Sequence, residues 1–184
     1  MKNYDWAVLF RDVFQASVSK YRTGSTGLNA LFGEKDKEFL HSIGCSTQEL
    51  YDFVEDFCRM NEPDFETILL VTDVRRDYFW REQGGRFSAK RILMSDLPPK
   101  GATLGGMEWL PRIIEKARAK LRGEMPSDLM YLCGGDRPFL KSVNVHPADF
   151  LRQVWRAGED TAQIVAYVQE QRRGDARGNN QPAV

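Results

Sequence analysis

The residue types best suited to chemistry stand close together in the second half of the chain. Arg112, Glu115 and Lys116 fall within about one turn of a helical stretch, Asp136 follows in a glycine-containing loop, and Gly105-Gly106 precede them. Arg112 and Glu115 are three apart and share a helix face, with Lys116 one step round. Arginine can grip a carboxylate or phosphate in two places, and amides at a helix start favour anions. Arg112, Lys116 and the amides after Gly105-Gly106 could therefore hold a small anion or polar metabolite, with Glu115 and Asp136 completing the set. The same groups could instead neutralise one another as a salt-bridge network that pins the loop to the helix. The sequence leaves both readings open.

Other chemistry is sparse. The chain has two histidines, His41 and His146, and no His/Cys/carboxylate set at metal-ligand spacing, whereas a structural zinc site needs about four ligands. No metal and no cofactor are expected. P-loop, GxSxG and HExxH patterns are missing, so no catalytic residue is assigned. Cys45 and Cys58 occupy apolar positions flanking helices and read as small core residues, while Cys133 lies in the loop before Asp136 and is the one cysteine considered as a reactive thiol. Arg75-Arg76-Asp77-Tyr78 reads as a solvated or interface-pairing face. Trp6, Trp80, Trp109 and Trp155 are expected to pack in a core, and an exposed one would mark a partner surface.

Composition is that of an ordinary globular protein, with 184 residues, 42% hydrophobic, 28% charged and a net charge of zero. Zero net charge gives no reason to expect nucleic acid or an anionic membrane as a partner. It hides an asymmetry. Residues 1–84 carry 10 Lys+Arg and 15 Asp+Glu, a net of −5, and residues 85–184 carry 16 and 11, a net of +5. Two complementary halves that attract each other explain this most simply, and a basic face for an anionic ligand is the alternative. The start MKNYDWAVLF lacks the apolar stretch of a signal peptide, and no window approaches 18 consecutive apolar residues. Three cysteines without CxxC spacing suggest reduced thiols, so a cytoplasmic protein is expected.

The elements that must position these residues repeat. At an offset of 100, Lys20 falls on Lys120, Arg22 on Arg122, Asp36 on Asp136, Phe39-Leu40 on Phe139-Leu140, Ser42 on Ser142 and Val54 on Val154. Apolar steps coincide too, as in Phe10/Leu110, Val13/Ile113 and Leu50/Phe150. Asp12 stands opposite Arg112 and Ala16 opposite Lys116, so at most one polar site of the kind above would exist. The expected fold is all-α, with two pseudo-symmetric helical repeats of about four helices each sharing one core. Residues 1–83 form the first repeat, 84–103 a Gly/Pro-rich connector, 104–173 the second repeat and 174–184 a disordered tail.

Within the first repeat, Phe10, Val13, Phe14, Ser17 and Tyr21 mark a helix over residues 4–22. Asp36 can cap a short helix ending at Gly44. Ser46-Thr47-Gln48-Glu49 is a capping box that opens a helix carrying Leu50, Phe53 and Val54. At the matching place His146-Pro147-Ala148-Asp149 opens another. Further helices are expected over residues 63–80, from about 110, and over 160–171. Pro111 fits the first turn of the helix near 110.

Leu104-Gly105-Gly106, Trp109-Leu110-Pro111-Arg112 and Lys116-Ala117-Arg118-Ala119, with Asp136 and Phe139-Leu140 further on, resemble the signature of the bacterial "domain of unknown function 5069" family. The resemblance covers about residues 96–170, and the first half looks like a diverged copy of the same unit. The family often has Pro-Leu-Asp where this chain has Gly134-Gly135-Asp136. The resemblance implies kinship and fold and carries no mechanism. The expected function is a non-enzymatic interaction or binding module whose partner is an unknown protein or a second copy of the chain. The alternative is a binder of a small anionic or polar metabolite through Arg112, Lys116 and Asp136. An enzyme of unrecognised class comes third.

Overall fold

The structure, a computed structural model, describes residues 4–178 and the side chains of residues 4–173. Its nine α-helices among the described residues are α1 (Trp6–Arg22), α2 (Leu28–Leu31), α3 (Glu34–Ser42), α4 (Thr47–Met60), α5 (Phe65–Arg81), α6 (Leu110–Arg122), α7 (Asp136–Ser142), α8 (Pro147–Ala157) and α9 (Thr161–Gly178). The protein is all-α as expected. The single-turn α2 raises the helix number above eight, and a hairpin of β1 (Thr103–Leu104) and β2 (Met107–Glu108) was not foreseen. Gly105 and Gly106 form its two-residue turn, both at positive φ (57° and 77°), a backbone that glycine adopts without steric cost.

Helix starts follow local hydrogen bonding. The Glu49 amide donates to Ser46 Oγ (3.1 Å) and the Ser46 amide to Glu49 Oε2 (3.4 Å), so the capping box of α4 forms as read. His146 caps α8 through Nδ1, which accepts from the Ala148 amide at 3.2 Å. Asp36 differs from expectation. It sits inside the first turn of α3 and accepts from the Gly33 amide at 2.9 Å, because the helix starts two residues earlier, at Glu34.

Equivalent junctions occur one hundred residues apart. The residue after α3, Ile43, has φ/ψ of −102°/9°, and Val143 after α7 has −107°/7°. Gly44 and Asn144 follow at φ of 73° and 53°, and the amides of Cys45 and Val145 return to the carbonyls of Leu40 and Leu140, each at 3.0 Å.

Helix α5 carries apolar residues around most of its circumference, and this fixes the architecture. Phe65, Ile68, Val71, Val74 and Phe79 are all buried. It packs against α1 in its own half and against α6 and α8 in the other. A single apolar core runs through both halves, from Phe10 and Phe14 of α1 to Ile113, Phe150 and Ile164. Helix α9 packs on α8 alone among the well-packed pairs, and of its described side chains Ile164 and Val168 are buried. Its outer face is polar.

Five ion pairs that cross between the halves among the described residues have one polarity. Glu49 takes Lys120, Asp56 and Glu62 take Arg137, Glu62 takes Lys141, and Asp73 lies 4.0 Å from Arg152. Every acid is in the first half and every base in the second, so the −5/+5 asymmetry is used at the junction. Between the halves, residues 84–102 run without regular structure apart from a 3-10 turn at Met94–Asp96. Helix α9 continues to Gly178, into the segment expected to be disordered, and the rest of that segment lies outside the described residues.

Candidate functional site

Asp136, at the start of α7, is fully buried and holds three donors. Lys116 Nζ donates to its Oδ2 at 2.5 Å, the Leu132 amide donates to the same oxygen at 2.8 Å, and the Trp109 indole donates to Oδ1 at 2.9 Å. Lys116 is itself buried, and its ammonium also contacts Cys133 Sγ at 3.1 Å. Trp109 and Leu132 both stand at φ 72°, in the left-handed region. That backbone costs a non-glycine residue roughly 1–2 kcal/mol, and the Asp136 carboxylate holds both residues there. A Cβ on Gly135 would lie 2.4 Å from the Trp109 ring, so the indole occupies the space above this glycine.

The remaining residues of the sequence-derived set turn elsewhere. Arg112, mostly buried, donates through Nη1 to the Pro98 carbonyl (2.8 Å), and its guanidinium lies 6.0 Å from the centre of the Trp109 ring. It ties the connector to α6. Glu115 pairs with Arg118 at 2.7 Å, one turn along the same helix. Gly105 lies against α9, where a Cβ would meet Val165 at 2.5 Å and its carbonyl accepts from Gln169 Nε2 at 3.1 Å. Lys116 and Asp136 therefore meet, Arg112 adjoins them through Trp109, Glu115 and Gly105 engage other partners, and Gly106 serves the hairpin turn. None of the principal cavities among the described residues is lined by Arg112, Glu115, Lys116 or Asp136.

One turn further along α6 stands Lys120, 1% exposed, at the wall of a cavity of about 200 Å³ between the halves. Glu49 and Asp52 of α4 line it from one side, and Arg91, Gly123 and Tyr131 from the other. Lys120 Nζ donates to Glu49 Oε1 and lies 5.1 Å from the centre of the Phe53 ring. An ammonium has three donors, and among the described residues Glu49 is the acceptor it engages. Burial pushes its pKa down to about 8.

Asp52 accepts from Gln48 Nε2 at 2.7 Å and pairs with no cation among the described residues. Burial pushes its carboxyl up to about 7, and the nearby charges of Glu55 and Asp56 push the same way against the Gln48 bond. Beyond Asp52 a second hollow of about 200 Å³ continues, lined also by Glu55, Asp56 and Asp128.

Arg75 of α5 stands behind this cavity and is completely buried, which corrects the expectation of a solvated or interface-pairing face. Its Nη1 donates to Gln83 Oε1 (2.8 Å), while Nε and Nη2 have no partner in the structure. The guanidinium lies between the rings of Phe79 and Phe87, at 5.3 and 5.7 Å, with Nη2 against Gly123. No carboxylate pairs with it among the described residues, and burial lowers its pKa to about 10. Cys45, buried in the field of both Lys120 and Arg75, is pushed up to about 11 by the same desolvation. It behaves as the small core residue expected from sequence.

Sequence reasoning passed over Lys120 because it looked like one of several charges decorating α6. Its match to Lys20 was the available signal. Lys20 Nζ donates to the Leu31 carbonyl at 2.6 Å, so a lysine that turns inward recurs at this place. Asp52 gave no signal, since its surroundings come from the loop at residues 126–130, far along the chain.

Among the described residues, no helix is long and apolar enough to cross a membrane, and no group of three or more His, Cys, Asp or Glu side chains could hold a metal ion. The fold defines an all-α protein with a buried ion pair, Lys116–Asp136, in its second half. Residues 98–181, in the second half of the chain, match the family described as Domain of unknown function (DUF5069). The match begins at Pro98, whose carbonyl Arg112 engages, and takes in the whole Lys116–Asp136–Trp109 network. No curated protein and no solved structure gave a significant match.

Proposed function

We propose that this protein is a non-enzymatic binding module built from two diverged copies of one helical unit, with a small polar ligand seated between the copies at Lys120. The carrying observation is a fully buried ammonium on a cavity wall with one carboxylate partner and donors left over. Buried charges are ordinarily paired and hydrogen-bonded to capacity, and a group that departs from this at a cavity is where a ligand completes the set. The equivalent junctions at Ile43/Val143 and Cys45/Val145 support the two-copy origin, as does the polar outer face of α9, which suits a terminal repeat.

Under this reading the Lys116–Asp136–Trp109 network is a structural pin, the second of the two roles open to it from sequence. Its donors and acceptors satisfy one another and face no principal cavity.

Native mass spectrometry of the gently purified protein, set against its denatured mass, tests the proposal. A discrete excess mass in the wild type that disappears in Lys120→Met is the expected result. A clean multiple of 21.1 kDa without excess, unchanged in the variant, would replace this reading with a homo-oligomeric interaction module.

A further inference from the structure

The cavity at Lys120 is lined by charges of both signs, Lys120 and Arg91 with Glu49 and Asp52, and this lining identifies a ligand class. Resting on the binding reading above, we infer that the site takes a small zwitterion of the amino-acid class, with its carboxylate on Lys120 and its ammonium on Asp52.

The cationic end is built from both halves. Lys120 reaches the cavity with unused donors, and Arg91 stands at the rim with its Nη1 engaged only by the carbonyls of Ser88 and Lys90. Arg75 lies one layer behind, against the wall residues Gly123 and Phe87, without a carboxylate of its own. Lys120 and Arg91 thus line the cavity together with Glu49, whose carboxylate is shared between Lys120 and the Ser46 amide. A ligand carboxylate entering here meets donors in place of water.

Beside Glu49 on the α4 wall, Asp52 carries the opposite sign to Lys120. Asp52 has one oxygen on the Gln48 amide and the other without a partner. Its acidic neighbours are already engaged, Glu55 by Arg59 and Tyr21, and Asp56 by Arg137. Asp52 is a half-buried carboxylate on the cavity wall that pairs with no cation among the described residues, and the acidic hollow beyond it disfavours a second anionic group. A primary ammonium supplies the charge and the hydrogen bonds that Asp52 lacks.

Size sets the remaining limit. A water occupies about 30 Å³ of liquid, so a cavity of about 200 Å³ holds roughly seven non-hydrogen atoms, the scale of a small amino acid.

The test is calorimetric titration of the full-length protein with L-alanine, propionate and ethylamine, which share one scaffold and differ in the charged groups they carry. Alanine is expected to bind at least tenfold tighter than either of the others, with that advantage lost in both Lys120→Met and Asp52→Asn. Propionate equal to alanine would overturn the zwitterion assignment and leave a plain carboxylate site. Ethylamine binding best would overturn it in favour of a cation site. Binding of none of the three, in a wild type that does carry an excess mass on native mass spectrometry, would overturn the ligand class while sparing the binding reading. Because the ranking is read on the wild-type protein, it stands even if one variant fails to fold.

Discussion

Lys120 on α6 donates to Glu49 on α4, and the same Glu49 carboxylate closes the capping box that starts α4. One side chain therefore sets a helix start in the first half and neutralises a buried charge from the second. The contact spans 71 residues of sequence and is the innermost of the acid-to-base pairs joining the halves.

Replacing Lys120 by Met keeps the apolar stem and removes the ammonium. Glu49 loses its partner but keeps the Ser46 amide and some solvent, with its side chain 17% exposed. The expected loss is about 2 kcal/mol, below the roughly 3–5 kcal/mol typical of breaking a fully buried pair. Urea denaturation with an unchanged m-value would check it.

Asp136→Asn is expected to cost more. It strands the buried Lys116 ammonium and weakens the hold on Trp109 and Leu132, so the loss should reach about 3–5 kcal/mol. Trp109→Phe removes one neutral donor to the same carboxylate and is expected to cost nearer 1–2 kcal/mol beyond the change in packing. Chemical unfolding of the two variants side by side gives the ranking, and a milder effect for Asp136→Asn than for Trp109→Phe would contradict the pin.

Gly105→Ala places a methyl group 2.5 Å from Val165 at a residue with positive φ. Strain and overpacking together should cost about 2–3 kcal/mol, and should loosen the hairpin from α9. Hydrogen exchange at the Met107 amide reports the loosening, and the melting temperature the overall loss.

The pH dependence of stability carries the signature of Asp52. Its folded pKa, about 7, lies above the ordinary 3.8, so the folded state keeps this proton after the unfolded chain has released it. The stabilisation is fully present below about pH 4 and is lost as pH rises through about 7. Burial chiefly opposes ionisation, Glu55 and Asp56 on α4 add to it, and Gln48 favours it. Wild type should therefore lose on the order of 1 kcal/mol or more relative to Asp52→Asn between pH 4 and pH 8, since the group opens onto a solvated cavity and screening reduces the full effect. Thermal melts of the pair across that range isolate it from the other carboxylates, and parallel curves would refute the shift.

The sequence made local features legible and left long-range ones hidden. The box at Ser46–Glu49, the cap at His146 and the buried stripe of Phe10, Phe14 and Ser17 could be read because each is fixed within a turn or two of the chain. The pairing of Asp136 with Lys116 was legible as one of two options, since both lie in one half, on a helix and the loop that follows it. The hairpin at Gly105-Gly106 escaped because two residues per strand leave no alternating pattern to detect. The burial of Arg75 escaped because its surroundings, Gln83, Phe87 and Gly123, come from three separate segments that converge only in the fold. The Lys120 cavity was invisible for the same reason. It lies between α4, the connector and the loop after α6, and no single stretch of sequence contains its shape.

The most direct test of the central claim is to map where a small amino acid binds, by following backbone and side-chain chemical shifts during titration with L-alanine. The account predicts shifts concentrated at Glu49, Asp52, Arg91, Lys120, Ser127 and Met130, with the Asp52 carboxyl carbon moving as it meets the ammonium. Shifts confined to Arg112, Lys116 and Asp136, or to the separate cavity around Glu62 and His146, would contradict it.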